Sequence, residues 1–228
     1  MINVTHLTQK ENHRVLLNDI NFNVGKKTIF GILCDENCES AALMETLAGI
    51  MTITEGEVNI CGYNIATDRQ KAQLLIGYMP QKMPFYENMS VMEYLSFIAE
   101  AKQLPYDEAQ KNIKKALSTT GLLQIKNALI CKLRVAGKAR VGIAQAIVSN
   151  PSVLLLDDPT RDLNKNETAE IFSLIKMVSK SRTVIITSDN PEIFSLCDNT
   201  ATLSLGQLEL DVKESIGKGK NNGRNFQA

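Results

Sequence analysis

Three groups of side chains in this sequence have the types and spacing to do chemistry. The first lies in GILCDENCESAALMETLAGI, residues 31 to 50. An apolar strand end leads into it, and Leu43, Met44, Leu47 and Ile50 follow at helical spacing. A strand, a short loop and a helix N-terminus together can gather backbone N–H groups around a phosphate. A loop built for that purpose has small residues, a lysine for the β/γ-phosphates and a hydroxyl for Mg²⁺. Here its middle reads Cys34-Asp35-Glu36-Asn37-Cys38-Glu39-Ser40-Ala41, without a lysine. The second group is Asp157-Asp158, a carboxylate pair closing an apolar run, with the chemistry of a divalent-cation ligand or a base. The third is Asp189 at the end of "TVIITSD". His6 and His13 have no companion at catalytic or ligand spacing.

The loop's charges weigh against a polyanion. Asp35, Glu36 and Glu39 bring up to three negative charges where a phosphate chain would lie. At roughly 5 Å and an effective dielectric of about 20, each like-charge pair costs about 3 kcal/mol. Micromolar binding supplies only about 8 kcal/mol in total. Two such repulsions and a missing lysine would erase it. The same residues also have a constructive use. A helix N-terminus favours a carboxylate, so Glu39 or Asp35 can fold back into a phosphate's place, and Asn37 and Ser40 are good capping types. Three readings stay open: capping residues on a scaffold, a site for another ligand, and a residual nucleotide site. For Asp157-Asp158 the alternatives are a metal site and inherited scaffold; for Asp189 the reading is a solvated or capping acid before Asn190-Pro191.

The elements that position these groups are legible in the pattern. Apolar or alternating runs at 2–7, 15–24, 28–33, 57–61, 76–79, 153–157, 184–187, 201–205 and 207–212 predict strands. Near-continuous runs such as "SVLLLDD" indicate a parallel sheet covered on both faces. Helical spacing predicts helices over 41–50, after the capping box Ser90/Glu93, after Asp107 as cap with Gly121 as stop, and after the capping box Asn164/Glu167. The fold class is α/β, with a mostly helical insertion over about 84–140. Residues 213–228, "KESIGKGKNNGRNFQA" with the first of these, have almost no apolar side chains and are expected to be a disordered tail or a linker.

Composition narrows the function classes. The 228 residues suit one large domain, or one domain with a subdomain. Lys plus Arg equals Asp plus Glu, 25 each, which argues against nucleic-acid binding driven by bulk charge. No apolar run approaches the roughly 18 residues a membrane span needs, and no signal peptide is visible. Five cysteines, at 34, 38, 61, 131 and 197, show no zinc-finger spacing and are expected to be reduced thiols in a cytosolic protein.

Four segments together carry a resemblance: "GEVNICGYNI", "IGYMPQKMPFYENMSVMEYL", "RVGIAQAIVSNPSVLLLDDPTRDLN" and "LCDNTATLSLGQL". In order and spacing, from about residue 2 to 212, they resemble the ATP-binding subunit of an ABC transporter, closest to the drug-exporter type. The resemblance implies a P-loop NTPase-like ABC ATPase core with a mostly parallel sheet, an N-terminal antiparallel β part and a helical subdomain. Gln81 stands where the family contacts Mg²⁺ and the attacking water, and Asp157 where a carboxylate holds Mg²⁺. Ser40 replaces the phosphate-binding lysine, and Ala41 and Ala42 the two hydroxyl residues after it. Asn37 and Glu39 lie on the same loop, Glu39 where the family has glycine. Asp158 replaces the catalytic glutamate and Asp189 the switch histidine. The signature LSGGQ reads "LRVAG" at 133–137, with Arg134 for serine. Asn164 replaces an aspartate, and Glu11 aligns loosely with the aromatic that stacks on adenine.

What this implies is a degenerate ATP-binding-type subunit. It would be cytoplasmic and peripheral to the membrane, paired with an active ATP-binding domain and a membrane permease, with no nucleic acid. No cofactor is expected, or ATP and Mg²⁺ if the site keeps residual function. Two alternatives stay open: an active ABC ATPase, and a regulatory module outside transport. Met83, Phe85 and Tyr86 are expected at the groove that receives the permease, and Arg134 at the face between two ATP-binding domains.

Overall fold

The computed structural model describes residues 1–12, 14–34 and 39–211. His13, Asp35, Glu36, Asn37, Cys38 and the expected tail lie outside the described residues, so the capping role read for Asp35 and Asn37 does too. In chain order the elements are β1 (Ile2–Glu11), β2 (Arg14–Val24), β3 (Ile29–Cys34), α1 (Ser40–Leu47), β4 (Glu55–Ile60), β5 (Tyr63–Asn64), α2 (Arg69–Leu74) and β6 (Ile76–Met79). There follow α3 (Val91–Ala101), α4 (Tyr106–Thr119), α5 (Val135–Ile147), β7 (Val153–Asp157), α6 (Lys165–Ser179), β8 (Thr183–Ser188), β9 (Asn199–Ser204) and β10 (Gln207–Asp211).

The strands form two sheets. β2-β1-β4-β5 is antiparallel, and β10-β9-β3-β8-β7-β6 is parallel except for its β9–β10 hairpin. Residues of β7 and β8 are buried throughout, which is why their sequences run apolar instead of alternating. One core lies between the antiparallel sheet, α1 and one face of the parallel sheet; Leu7, Leu17, Phe30, Leu43, Leu47, Val58 and Leu155 belong to it. The other fills the space under α3–α6 and the opposite face, with Leu95, Ile113, Ile143, Leu154 and Ile175. Among the described residues no helix is long and apolar enough to cross a membrane.

Both capping boxes form. Ser90 accepts from the Glu93 N–H while the Glu93 carboxylate takes the Ser90 N–H; Asn164 and Glu167 do the same. The expected cap Asp107 does not cap: Pro105 holds that position, and Asp107 sits in the first turn of α4, where it still favours the positive helix end. Helix α1 stops at Leu47, three residues short of the expected Ile50. Gly49 turns left-handed (φ +68°) and its N–H closes on the Thr46 carbonyl. The helical part runs to Ile147, past the expected 140, because α5 continues onto the sheet. The strand expected to end at Leu7 continues to Glu11, its register with β2 shifting around left-handed His6 and Asp19.

Candidate functional site

The parallel ladder aligns Leu33 with Ser188 and Asp157 with Thr187. The C-terminal ends of β3, β7 and β8 therefore open on one edge, where an open α/β sheet places its ligands. Ser40 begins α1 beyond β3, Asp157-Asp158 end β7, and Asp189 follows β8. Strand order, not sequence spacing, brings these groups together.

Asp157 is buried and takes the Thr187 hydroxyl at 2.6 Å. Burial pushes its carboxyl up, while hydrogen bonds from Thr187, Ser40 and the Gln81 N–H, and the charge of Arg161, hold it down. Ser40 thus faces the carboxylate at the end of β7. Asp158 is also buried, with a left-handed backbone (φ +46°), and its N–H meets the Thr187 carbonyl and hydroxyl. Burial, then Asp189 and Asp157 nearby, push its carboxyl up to about 6 against the pull of Arg161 and a long Ser188 hydrogen bond of 3.4 Å. Asp189 is exposed; it does not cap the turn that follows, since Asn190 does so through the Glu192 N–H at 2.9 Å.

The loop's remaining described acid corrects the capping expectation. Glu39 occupies the N-cap position of α1, yet its side chain makes no capping hydrogen bond. Its carboxylate, 13% exposed, instead meets the Arg14 guanidinium at 2.7 Å. Charge decides this: a full positive charge outcompetes a helix end worth about half a charge. Ala41 is exposed in the first turn and offers no polar side chain. Arg14 escaped the sequence reading; the only cue was its place beside Glu11, opposite which it pairs in the β1–β2 hairpin. Arg161, three residues after Asp158 in the chain, was not singled out either, and its charge acts on both Asp157 and Asp158. Among the described residues there is no group of three or more His, Cys, Asp or Glu able to hold a metal ion.

The residues expected at interfaces divide. Phe85 and Met83 pack partly into the helical core, Phe85 edge-on to Tyr94 at 5.6 Å. Tyr86 is exposed and stands edge-on to exposed Phe97 at 5.1 Å. Beside α1, α2 and β6 runs a groove of about 570 Å³ with Ile50, Leu74, Tyr78, Lys102 and Gln145 in its lining. Arg134 is the exposed N-cap of α5 and makes no capping hydrogen bond. Its neighbours are engaged: Lys138 with Glu87 at 3.0 Å and Arg140 with Glu170 at 2.7 Å.

Known proteins resemble this chain in sequence and fold. The ABC transporter family model matches residues 17–161. An uncharacterized ABC transporter ATP-binding protein of Bacillus subtilis, YybJ, is 31% identical over 93% of this chain and 97% of its own. The spermidine/putrescine import ATP-binding protein PotA of Bacteroides thetaiotaomicron is 28% identical over 92% of this chain, which spans 46% of PotA. Among solved structures, cbiO1 of Clostridium perfringens, part of the ABC transporter complex cbiONQ, superposes with a TM-score of 0.81 at 28% identity, covering 91% of this chain and 86% of its own. The ATP-binding cassette MJ0796, in a dimeric post-hydrolysis state bound to ADP and Pi, gives 0.80 at 20% identity over 92% of this chain and 97% of its own, a likeness of fold. By sequence and fold the chain belongs to the ABC transporter family, as one of its ATP-binding domains.

Proposed function

We propose that this chain is a degenerate ATP-binding subunit, of the drug-exporter type, that works beside an active ATP-binding domain and a membrane permease without turning over ATP at its own loop. The observation that carries the reading is the opening of α1 as Ser40-Ala41-Ala42 with Glu39 tied to Arg14. No cation stands on this first turn, Ser40 faces Asp157, and Ala41 and Ala42 supply no hydroxyl for Mg²⁺. These residues do not fit Mg-ATP. The exporter assignment rests on the stretch from Gly77 to Leu95. The competing reading, an active ATPase, draws on Gln81, Asp157 and Asp158 meeting at one sheet edge. In this reading Asp157 is scaffold, Asp158 and Asp189 are non-catalytic, and Tyr86 with the groove beside α2 meets the permease at the cytoplasmic face of the membrane.

Mg-ATP at 1 mM is expected to leave the melting temperature of the purified chain unchanged. A ligand at 100 times its Kd adds about 2.7 kcal/mol, which for a chain this size is roughly 5–10 °C. A rise of that order would sink the degenerate reading in favour of the active one.

Arg134 has a separate part. A cation at a helix N-terminus opposes the helix dipole unless an anion joins it, and here it stands where the family's signature serine faces the other domain's phosphate. In the assembly co-expressed with its partner ATPase and permease, Arg134→Ala is expected to lower ATP turnover about tenfold, the loss of one charged phosphate contact. Unchanged turnover would remove Arg134 from the interface; no heteromeric complex at all would end the pairing itself.

A further inference from the structure

Arg182 is a buried cation without a counter-charge. It is 7% exposed and stands just before Thr183, where β8 begins. Its two terminal nitrogens donate to neutral acceptors, the Asn150 side-chain carbonyl at 2.9 Å and the Ser181 hydroxyl at 3.1 Å. Its Nε–H is buried and has no partner. Among the described residues no carboxylate lies within ion-pair distance of it. Burial pulls its pKa down, with no neighbouring acid to oppose this. Arg182 also lines a cleft of about 20 Å³, together with Asn112, Lys115 and Thr119 of α4 and Asn150 beyond α5. The Asn112 amide nitrogen is likewise buried and unpaired. Two cations, an amide and a hydroxyl thus converge on one cleft, and none of the described residues lining it is an acid.

We propose that this cleft is a binding site for a single halide-sized anion such as chloride, held by Arg182 and Asn112 with Lys115 adding charge. A buried charge is normally paired, and a buried donor without an acceptor is costly. A water would satisfy the two donors and leave the guanidinium uncompensated; an anion does both. The volume admits one guest of about the size of a water, which suits a monatomic ion and not a nucleotide. The site lies at the N-terminal end of β8, opposite the sheet edge where Asp157, Asp158 and Asp189 meet. It is therefore independent of how the loop before α1 is read. An ion here ties α4, in the helical part, to the start of a central strand of the parallel sheet.

The test titrates sodium chloride into the full chain at constant ionic strength, with sodium gluconate as the balancing salt. The melting temperature is expected to rise in one saturable step, by roughly 5–10 °C once chloride reaches 100 times its Kd. Arg182→Met is expected to abolish the step. Asn112→Ala is expected to move its midpoint about tenfold higher, the loss of one hydrogen bond to a charged group. Lys111→Gln removes an exposed lysine of the same helix outside the cleft, and is expected to keep the step. Crystals of the full chain grown in sodium bromide are expected to show an anomalous peak beside Arg182 and Asn112. If Arg182→Met does not fold, Asn112→Ala and the bromide peak still decide. The proposal is overturned by a wild type with no saturable step, by an unshifted midpoint in Asn112→Ala, or by an equal loss in Lys111→Gln. Water alone at this position in the bromide crystal would overturn it as well.

Discussion

Gly77→Ala is expected to destabilise the chain by about 3 kcal/mol or more, lowering its melting temperature by roughly 10 °C. Gly77 lies in β6, at the edge of the parallel sheet, with α5 laid directly on it. A Cβ at this position would stand 1.9 Å from the Ala146 carbonyl oxygen and 2.9 Å from Leu154 Cδ2. The first of these is backbone in a helix, so no side chain can swing away to make room. Relief requires moving α5 off β6, and α5 carries Arg134 at one end while β6 leads directly to Gln81. Gly142→Ala provides the contrast, because its Cβ would meet Met79 Cε at 2.9 Å, the far end of a flexible side chain. That variant is expected to cost about 1 kcal/mol. Thermal melts of the two variants side by side test the argument, and equal losses would show that the α5–β6 contact yields more easily than a packed helix backbone should.

Asp158→Asn is expected to stabilise the chain at pH 7.5 by up to about 3 kcal/mol and to change little at pH 4. The carboxyl of Asp158 titrates at about 6, above its ordinary value of 3.8, chiefly because it is buried and then because Asp189 and Asp157 face it. Between those two values the folded chain holds a proton that the unfolded chain has released. Stability therefore falls as pH rises through this window, and above it the full penalty of a buried carboxylate remains. Asparagine keeps the shape without the charge and tolerates the left-handed backbone at this position. It also leaves the charge of Arg161 acting on Asp157. Melting curves at the two pH values decide the matter: a gain of equal size at both, or a loss at pH 7.5, would contradict the burial argument.

The sequence by itself determined the elements and the family. Its two capping boxes, at Ser90 and Asn164, are local hydrogen-bond patterns between residues three apart, so they could be read directly and they form as read. The apolar runs of β7 and β8 told of a parallel sheet because burial on both faces leaves no room for alternation. Local boundaries were less legible: Asp107 and Pro105 both suit a helix start, and only the packed structure chose between them.

The tertiary structure decided which groups meet. Glu39 was a capping carboxylate as far as its own neighbourhood could say, and it became the partner of Arg14 because the hairpin folds back to α1. Asp158 and Asp189, 31 positions apart in sequence, were set at one sheet edge by the adjacent ladder of β7 and β8, where the charge of Asp189 raises the cost of ionising Asp158. Gly77 shows the same division. Nothing around it in the chain marks it as special, and its necessity comes from Ala146, which the approach of α5 to β6 alone puts in its way. Periodicity and capping act over a few residues and are written locally. Charge pairing and close packing act through space, at distances that strand order and helix docking fix.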